Sequence, residues 1–141
     1  AVLDKLGLSP ALTQLADEAR AHDGLDVTFT IGSDPMVDAD VALGLYRVAQ
    51  ESLRNVARHA GTTRATIHLD GIGGGARITI ADPGRGFDAA GADRGLGLTS
   101  MSERMRLLGG KLTITSAPGE GVRITAWAPL QVARTARKGE V

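Results

Sequence analysis

The centre of the chain carries the stretch LYRVAQESLRNVARHAG, residues 45–61. Apolar residues recur in and just before this stretch at helical spacing, which predicts a long amphipathic helix that starts near Asp38 or Asp40 and ends at Ala60-Gly61. Glycine is a common residue just past a helix C-terminus. The predicted buried stripe of this helix contains Val41, Leu45, Val48, Ser52 and Val56.

Patterns on either side of the helix predict a small domain of the α+β class. Ser9-Pro10 reads as a helix N-cap followed by the first helical residue, and a strand alternates over residues 27–31. Further on, a helix is expected over about 96–108, and two hairpins are expected with strands at 64–70, 76–82, 111–116 and 122–128. One face of the later strands is polar, so we expect a two-layer α/β sandwich: a mixed, mostly antiparallel sheet with helices on one face.

Composition narrows the class of protein. The 141 residues suggest one domain, and 16 basic and 16 acidic residues give no net charge, so nothing indicates a nucleic-acid-binding surface. The absence of cysteine excludes disulfides and cysteine metal sites. No signal peptide or membrane-length apolar run is present. Because the first residue is Ala1, we expect a piece of a longer protein.

One face of the long helix carries groups suited to phosphate chemistry. Helical spacing brings Glu51, Asn55 and Arg58 within about 60° of one another, with His59 at the edge. An amide oxygen suits Mg²⁺, a carboxylate can accept a proton, and a cation can offset phosphate charge. An ordinary solvated helix face is the alternative.

Asp82 departs from the pattern of its strand. It shares the inward side of Ile78 and Ile80, and a carboxylate on the covered face needs a partner. The exocyclic amine of adenine is one donor that fits, and Gly84 and Gly86 would let backbone and base approach closely. The alternative is a simple Asp-Pro-Gly turn.

A third segment, Gly95-Leu96-Gly97-Leu98, opens the next predicted helix. Backbone N–H groups and the helix dipole make such a position an anion site. A plain turn before a helix gives the same sequence pattern.

These segments together resemble a known family. Residues 45–60 resemble the N box of bacterial sensor histidine kinases, and residues 82–87 and 95–98 resemble their first and second glycine boxes. The continuations MSERM (101–105), LGGKL (108–112) and SAPGEG (116–121) resemble the nitrate-sensor-like class of these kinases.

The resemblance implies the Bergerat ATP-binding fold, Mg–ATP as ligand and phosphoryl transfer to a histidine. Glu51 would activate the accepting imidazole, Asn55 would hold Mg²⁺ and Asp82 would read adenine. The remaining cofactor-binding residues would shape the adenine pocket (Gly84, Gly86), flank the phosphates (Gly95, Leu96, Gly97, Leu98) or contact phosphate (Arg58, His59).

The resemblance also implies partners. The accepting histidine of the family lies on a helical hairpin that precedes the ATPase domain, and its phosphoryl group passes to an aspartate of a response regulator. Residues 1–22 would then be the junction helix after that dimerisation and phosphoacceptor hairpin, 23–130 the catalytic domain and 131–141 a flexible tail. We expect a cytoplasmic, monomeric fragment that does not phosphorylate itself and contacts neither nucleic acid nor membrane.

Two departures from the family pattern concern nucleotide affinity. Val122 stands where many members have a threonine near adenine, and the segment that would form an ATP lid, Asp88 to Arg94, is short. Two other functions stay open: a serine kinase of the anti-sigma-factor type, which shares the three boxes, and a non-catalytic module that binds nucleotide or partners.

Overall fold

The computed structural model describes residues 2–89 and 96–132. The helices are α1 (Val2–Leu6), α2 (Leu8–Asp23), α3 (Ala39–His59) and α4 (Leu98–Leu107). The strands are β1 (Asp26–Ile31), β2 (Arg64–Ile72), β3 (Gly75–Asp82), β4 (Lys111–Ser116) and β5 (Val122–Pro129). Across these described residues, no helix combines the length and the apolar character that a membrane crossing requires.

The five strands form one sheet in the order β1-β2-β3-β5-β4. Strands β1 and β2 pair in parallel and are joined through α3, whereas the other three pairings are antiparallel. The predicted mixed, mostly antiparallel sheet is therefore confirmed. The register sets Asp82 opposite Val122 and Ile80 opposite Ile124.

The core lies between one sheet face and the helices. Alternate residues of the strands, including Ile67, Leu69 and Ile78, are fully buried, while the opposite face carries polar side chains such as Thr66 and Thr79. The period-2 alternation of a strand produces this division, because successive side chains point to opposite faces. The structure therefore has the predicted two layers.

Helix α3 begins as its sequence indicates. The side chain of Asp38 accepts a hydrogen bond from the Val41 N–H at 2.9 Å, which caps the helix, and the predicted stripe from Val41 to Val56 is buried. Gly44 lets α4 pack closely, because a β-carbon there would collide with Leu108. This packing holds the C-terminal end of α4 against the N-terminal half of α3.

The N-terminal prediction is wrong in its details. Ser9 is not the N-cap: α2 starts at Leu8 after Gly7, and the Ser9 hydroxyl donates to Asp34 Oδ1 at 2.7 Å. Pro10 is therefore not the first helical residue. The hydroxyl finds a tertiary carboxylate partner, which outweighs the local capping preference. A short separate helix, α1, precedes this segment.

Other element boundaries shift slightly. Strands β2 and β3 extend towards each other until only Gly73-Gly74 connects them, because both residues adopt the positive φ of a tight hairpin turn, 59° and 72°. Helix α4 begins at Leu98, two residues later than predicted. Of the predicted flexible tail 131–141, residues 133–141 lie outside the described residues.

Candidate functional site

A cavity of about 220 Å³ opens between α3, the sheet, the loop after β3 and the start of α4. Its inner wall is apolar and nearly inaccessible to solvent: Val56, Ile80 and Ile124 are each at most 3% exposed. The other lining residues are Ser52, Asn55, His59, Ala60, Asp82, Arg85, Gly86, Phe87, Leu96, Leu98 and Val122. An apolar pocket with a few polar groups is typical of a small-molecule site.

Asp82 ends β3 and faces this cavity, as its strand parity predicts. Its Oδ1 accepts a hydrogen bond from the Gly84 N–H at 2.8 Å. Burial raises the pKa of Asp82, and the Gly84 hydrogen bond opposes that rise only in part. Within residues 2–89 and 96–132 this is the one hydrogen bond to the carboxylate, so the second oxygen is available to a donor on a ligand.

Gly84 and Gly86 bring backbone against backbone. A β-carbon on Gly84 would collide with the Ala60 carbonyl oxygen, and the Arg85 N–H donates to that same oxygen at 2.8 Å. A β-carbon on Gly86, whose φ is 63°, would collide with the Ala117 carbonyl oxygen. Gly86 lines the cavity, whereas Gly84 holds the loop to the end of α3. These glycines therefore shape the pocket chiefly through protein packing.

The loop after β3 is also tied to the turn between β4 and β5. The Phe87 N–H donates to Ser116 Oγ at 2.9 Å, and that hydroxyl donates to the Gly121 carbonyl at 2.7 Å. Gly121 has φ of 72°, and a β-carbon there would collide with the Asp82 carbonyl oxygen. These contacts hold the end of β3 beside the cavity.

Asn55 connects the cavity to the start of α4. Its Nδ2 donates to the Leu96 carbonyl at 2.7 Å, which fixes the amide orientation because only the NH₂ group can donate to a carbonyl. The Oδ1 atom is then the group that a metal ion could use, and an amide oxygen is a hard ligand suited to Mg²⁺. No cluster of three or more His, Cys, Asp or Glu able to hold a metal occurs in the described part of the chain.

The second glycine segment lies beside Asn55. Leu96 and Leu98 line the cavity, and Gly97, with φ of 73°, is the N-cap of α4. Gly95 lies outside the described residues. The positive end of the α4 dipole therefore borders the same cavity wall as the Asn55 amide.

Glu51 does not line the cavity. It lines a neighbouring groove between α3 and α4 together with Arg47, Arg54 and Arg104. Its carboxylate lies 3.4 Å from the Arg54 guanidinium, and a β-carbon on Gly97 would lie 3.1 Å from Glu51 Oε1. The α4 N-cap thus separates Glu51 from the cavity by only one backbone segment.

The predicted stripe on α3 therefore divides between three surfaces. His59 and Asn55 line the cavity, Glu51 faces the α3–α4 groove, and Arg58 lines a third groove against α2. The structure does not bring Arg58 to the cavity.

Three lining residues with polar or aromatic side chains were not predicted as site residues from the sequence: Ser52, Arg85 and Phe87. Arg85 and Phe87 belong to the glycine segment after β3, and their position in that motif could have indicated that they line the cavity. For Ser52 the signal was a polar residue inside an apolar stripe. Its hydroxyl oxygen is buried and has no hydrogen-bond partner among the described residues.

The sequence of this chain is similar to those of known proteins. Residues 40–132 match the family described as histidine kinase-, DNA gyrase B- and HSP90-like ATPase. The chain is 38% identical over 133 residues to the sensor histidine kinase MctS of Rhizobium johnstonii, covering 91% of this chain and 29% of that protein. It is 34% identical over 130 residues to the sensor histidine kinase LiaS of Bacillus subtilis, covering 91% of this chain and 36% of that protein.

A solved structure shows the same fold. The blue-light activated histidine kinase EL346 of Erythrobacter litoralis superposes with a TM-score of 0.67 at 24% identity, over 87% of this chain and 42% of that one. The chain thus spans about a third of the length of the sequence relatives it matches. Since the family match covers most of the sheet and helices α3 and α4, the chain belongs to the histidine kinase-, DNA gyrase B- and HSP90-like ATPase family.

Proposed function

We propose that this chain is the ATP-binding catalytic domain of a sensor histidine kinase. It binds Mg–ATP and delivers the γ-phosphoryl group to a histidine on a separate helical-hairpin domain, from which the group passes to an aspartate of a response regulator. The observation that carries the proposal is Asp82: a half-buried carboxylate with one anchored oxygen, facing an apolar cavity.

The cavity accommodates the base of the nucleotide. Asp82 accepts a hydrogen bond from the exocyclic amine of adenine, because a carboxylate is an acceptor and that amine is a donor. Val56, Ile80 and Ile124 supply the apolar surface that a flat purine buries.

The phosphates lie towards Asn55 and the start of α4. Asn55 Oδ1 would be a ligand of Mg²⁺, and the ion would offset the negative charge of the phosphates. The dipole of α4, beginning after Gly97, favours negative charge at the same place. His59 lies at the cavity and is a further candidate for phosphate contact, whereas Arg58 faces away and is not included.

The accepting imidazole approaches through the groove between α3 and α4. Glu51 lies there, next to Gly97 and therefore next to the proposed phosphate end of the cavity. A carboxylate at this position accepts the imidazole proton while the imidazole nitrogen attacks the γ-phosphorus, the bond from that phosphorus to the bridging oxygen breaks, and ADP leaves. Arg47, Arg54 and Arg104 in the same groove favour an acidic surface on the incoming domain.

Further parts of the proposal concern the organisation of the parent protein. Residues 1–22 join the phosphoacceptor hairpin to the catalytic domain at 23–130. The isolated fragment is monomeric and cytoplasmic. The kinase belongs to the nitrate-sensor-like class. The resemblance of segments 101–105, 108–112 and 116–121 supports this class.

The test is phosphorylation of the full-length parent kinase with radiolabelled ATP. We expect acid-labile, base-stable label on a histidine of the hairpin. Glu51→Gln should slow labelling strongly while leaving the ATP dissociation constant unchanged, since Glu51 lies outside the cavity. Glu103→Gln, an exposed acid on α4 paired with Arg106, is the matched control and should label at the wild-type rate.

Two results would contradict the proposal. Label on serine instead of histidine would favour a serine kinase of the anti-sigma-factor type. Unchanged labelling in the Glu51→Gln protein would show that Glu51 does not activate the acceptor.

A further inference from the structure

Ser52 carries a buried hydroxyl that the described protein atoms leave unpaired. Its residue is 2% exposed, and its Oγ has no hydrogen-bond partner in residues 2–89 and 96–132. Ser9, also buried, donates to Asp34 at 2.7 Å. Thr13 shows the usual solution for a helical hydroxyl, a bond to the carbonyl four residues earlier, which Ser52 does not make.

An unpaired buried hydroxyl is costly, so its surroundings show what can pair with it. Ser52 lines the cavity described above, on the same nearly inaccessible wall as Val56, Ile80 and Ile124. The cavity has a volume of about 220 Å³, which is enough to hold a ligand group or a water molecule. The missing partner therefore belongs to the contents of the cavity.

The position of Ser52 indicates that the partner of its hydroxyl is the base of the nucleotide and not the phosphates. Phosphates and Mg²⁺ need solvent or charged groups, and their proposed place is the rim at Asn55 and Gly97. The wall at Ser52 is apolar instead. Ile80 and Ile124 form one rung of the sheet on this wall, and Asp82 and Val122 form the next rung. A purine that reaches Asp82 along this wall occupies the cavity that Ser52 also lines.

We infer that Ser52 is a further base-binding residue, whose hydroxyl hydrogen-bonds to the purine edge directly or through one enclosed water. The inference rests on the proposed function, since it assigns a second polar contact within the same nucleotide site. A hydroxyl both donates and accepts, so it complements a purine edge, which presents a donor amine beside ring-nitrogen acceptors. Asp82 alone offers only acceptors in its ionised form.

The test is calorimetric titration of Mg–ATP and Mg–ADP into the chain and its Ser52→Ala variant. Loss of one neutral hydrogen bond should weaken both nucleotides by the same factor, about 2- to 12-fold. The thermal midpoint of the nucleotide-free variant should not fall, because the change removes an unpaired group and introduces a better helix former. Ser102→Ala, at an exposed position on α4, is the matched control and should leave both affinities unchanged.

Each other outcome overturns the inference. Equal affinities in wild type and Ser52→Ala would mean that the hydroxyl is not paired by the ligand. A larger loss for ATP than for ADP would assign the hydroxyl to the phosphates. Should the alanine variant fail to fold, Ser52→Cys keeps the volume while weakening the hydrogen bond and must show the same equal loss. Absence of nucleotide binding by the wild-type chain would refute the proposed function as well, so the two failures are distinguishable.

Discussion

Replacement of Asp82 by asparagine should weaken nucleotide binding and raise the stability of the nucleotide-free fold. The introduced amide would keep an oxygen that can accept from the Gly84 N–H, as Asp82 Oδ1 does at 2.8 Å. The second carboxylate oxygen, which faces the cavity, becomes either a neutral acceptor or an NH₂ donor that opposes the adenine amine. Binding therefore loses a charge-assisted hydrogen bond of about 1.5–3 kcal/mol, which corresponds to about 10- to 150-fold in the dissociation constant of Mg–ATP.

Stability should change the other way. Burial holds the pKa of Asp82 above its ordinary value of 3.8 in the folded chain, so the folded state binds more protons than the unfolded state between these two pKa values. The free energy of unfolding therefore falls as pH rises through that window and stays lowered at neutral pH. A neutral asparagine removes this penalty, and the nucleotide-free variant should have the higher thermal midpoint at pH 7. The difference should disappear below the ordinary pKa, where both side chains are neutral.

Calorimetry and thermal unfolding of the chain measure the two effects. Asp26→Asn, an exposed aspartate at the start of β1 and away from the cavity, is the matched control and should leave the affinity unchanged. The reasoning is refuted if the Asp82→Asn variant binds Mg–ATP within about threefold of wild type. A lower thermal midpoint at pH 7 would show instead that the carboxylate stabilises the fold.

Two further predictions use matched variants. Asn55→Ala should abolish the strengthening of ATP binding by Mg²⁺. Gln50→Ala, which removes an amide on the same helix that is bonded to Arg47, should retain this strengthening. A persistent Mg²⁺ effect in Asn55→Ala would exclude Asn55 as the ligand. Gly121→Ala combines a positive φ with a backbone collision and should lose about 2–5 kcal/mol in urea unfolding. Gly119→Ala has a similar φ and open space, so it should lose only about 1–2 kcal/mol, and equal losses would contradict the role given to the collision.

Local sequence signals predicted most elements of the fold. The stripe on α3 and the alternation of the strands each act within a few residues, so they can be read without the tertiary structure. The N-cap predicted for the N-terminal helix was wrong for the complementary reason, although the helix itself is present. Ser9 was predicted to cap it locally, but Asp34, 25 residues away, takes its hydroxyl. Capping rules cannot anticipate such a partner.

The candidate site was predictable in its residue types and less so in its arrangement. Helical periodicity fixed the angles between Glu51, Asn55 and Arg58, yet these residues face three different surfaces. The period of a helix gives relative directions only, and the packing of α2, α4 and the sheet decides which direction becomes a cavity. Gly84 was predicted from its motif, but its close neighbour, the Ala60 carbonyl at the end of α3, lies on a different element. Only the packing of these elements shows that contact.

The sequence by itself determined the two-layer class, the long helix, the inward parity of Asp82 and the family resemblance. All of these depend on periodicity and on motifs a few residues long. Only the tertiary structure separated Glu51 from the cavity and placed in its lining Ser52, whose buried hydroxyl has no hydrogen-bond partner in the described part of the chain. The physical reason is that burial and hydrogen-bond satisfaction belong to the contacts between elements, which no single element encodes.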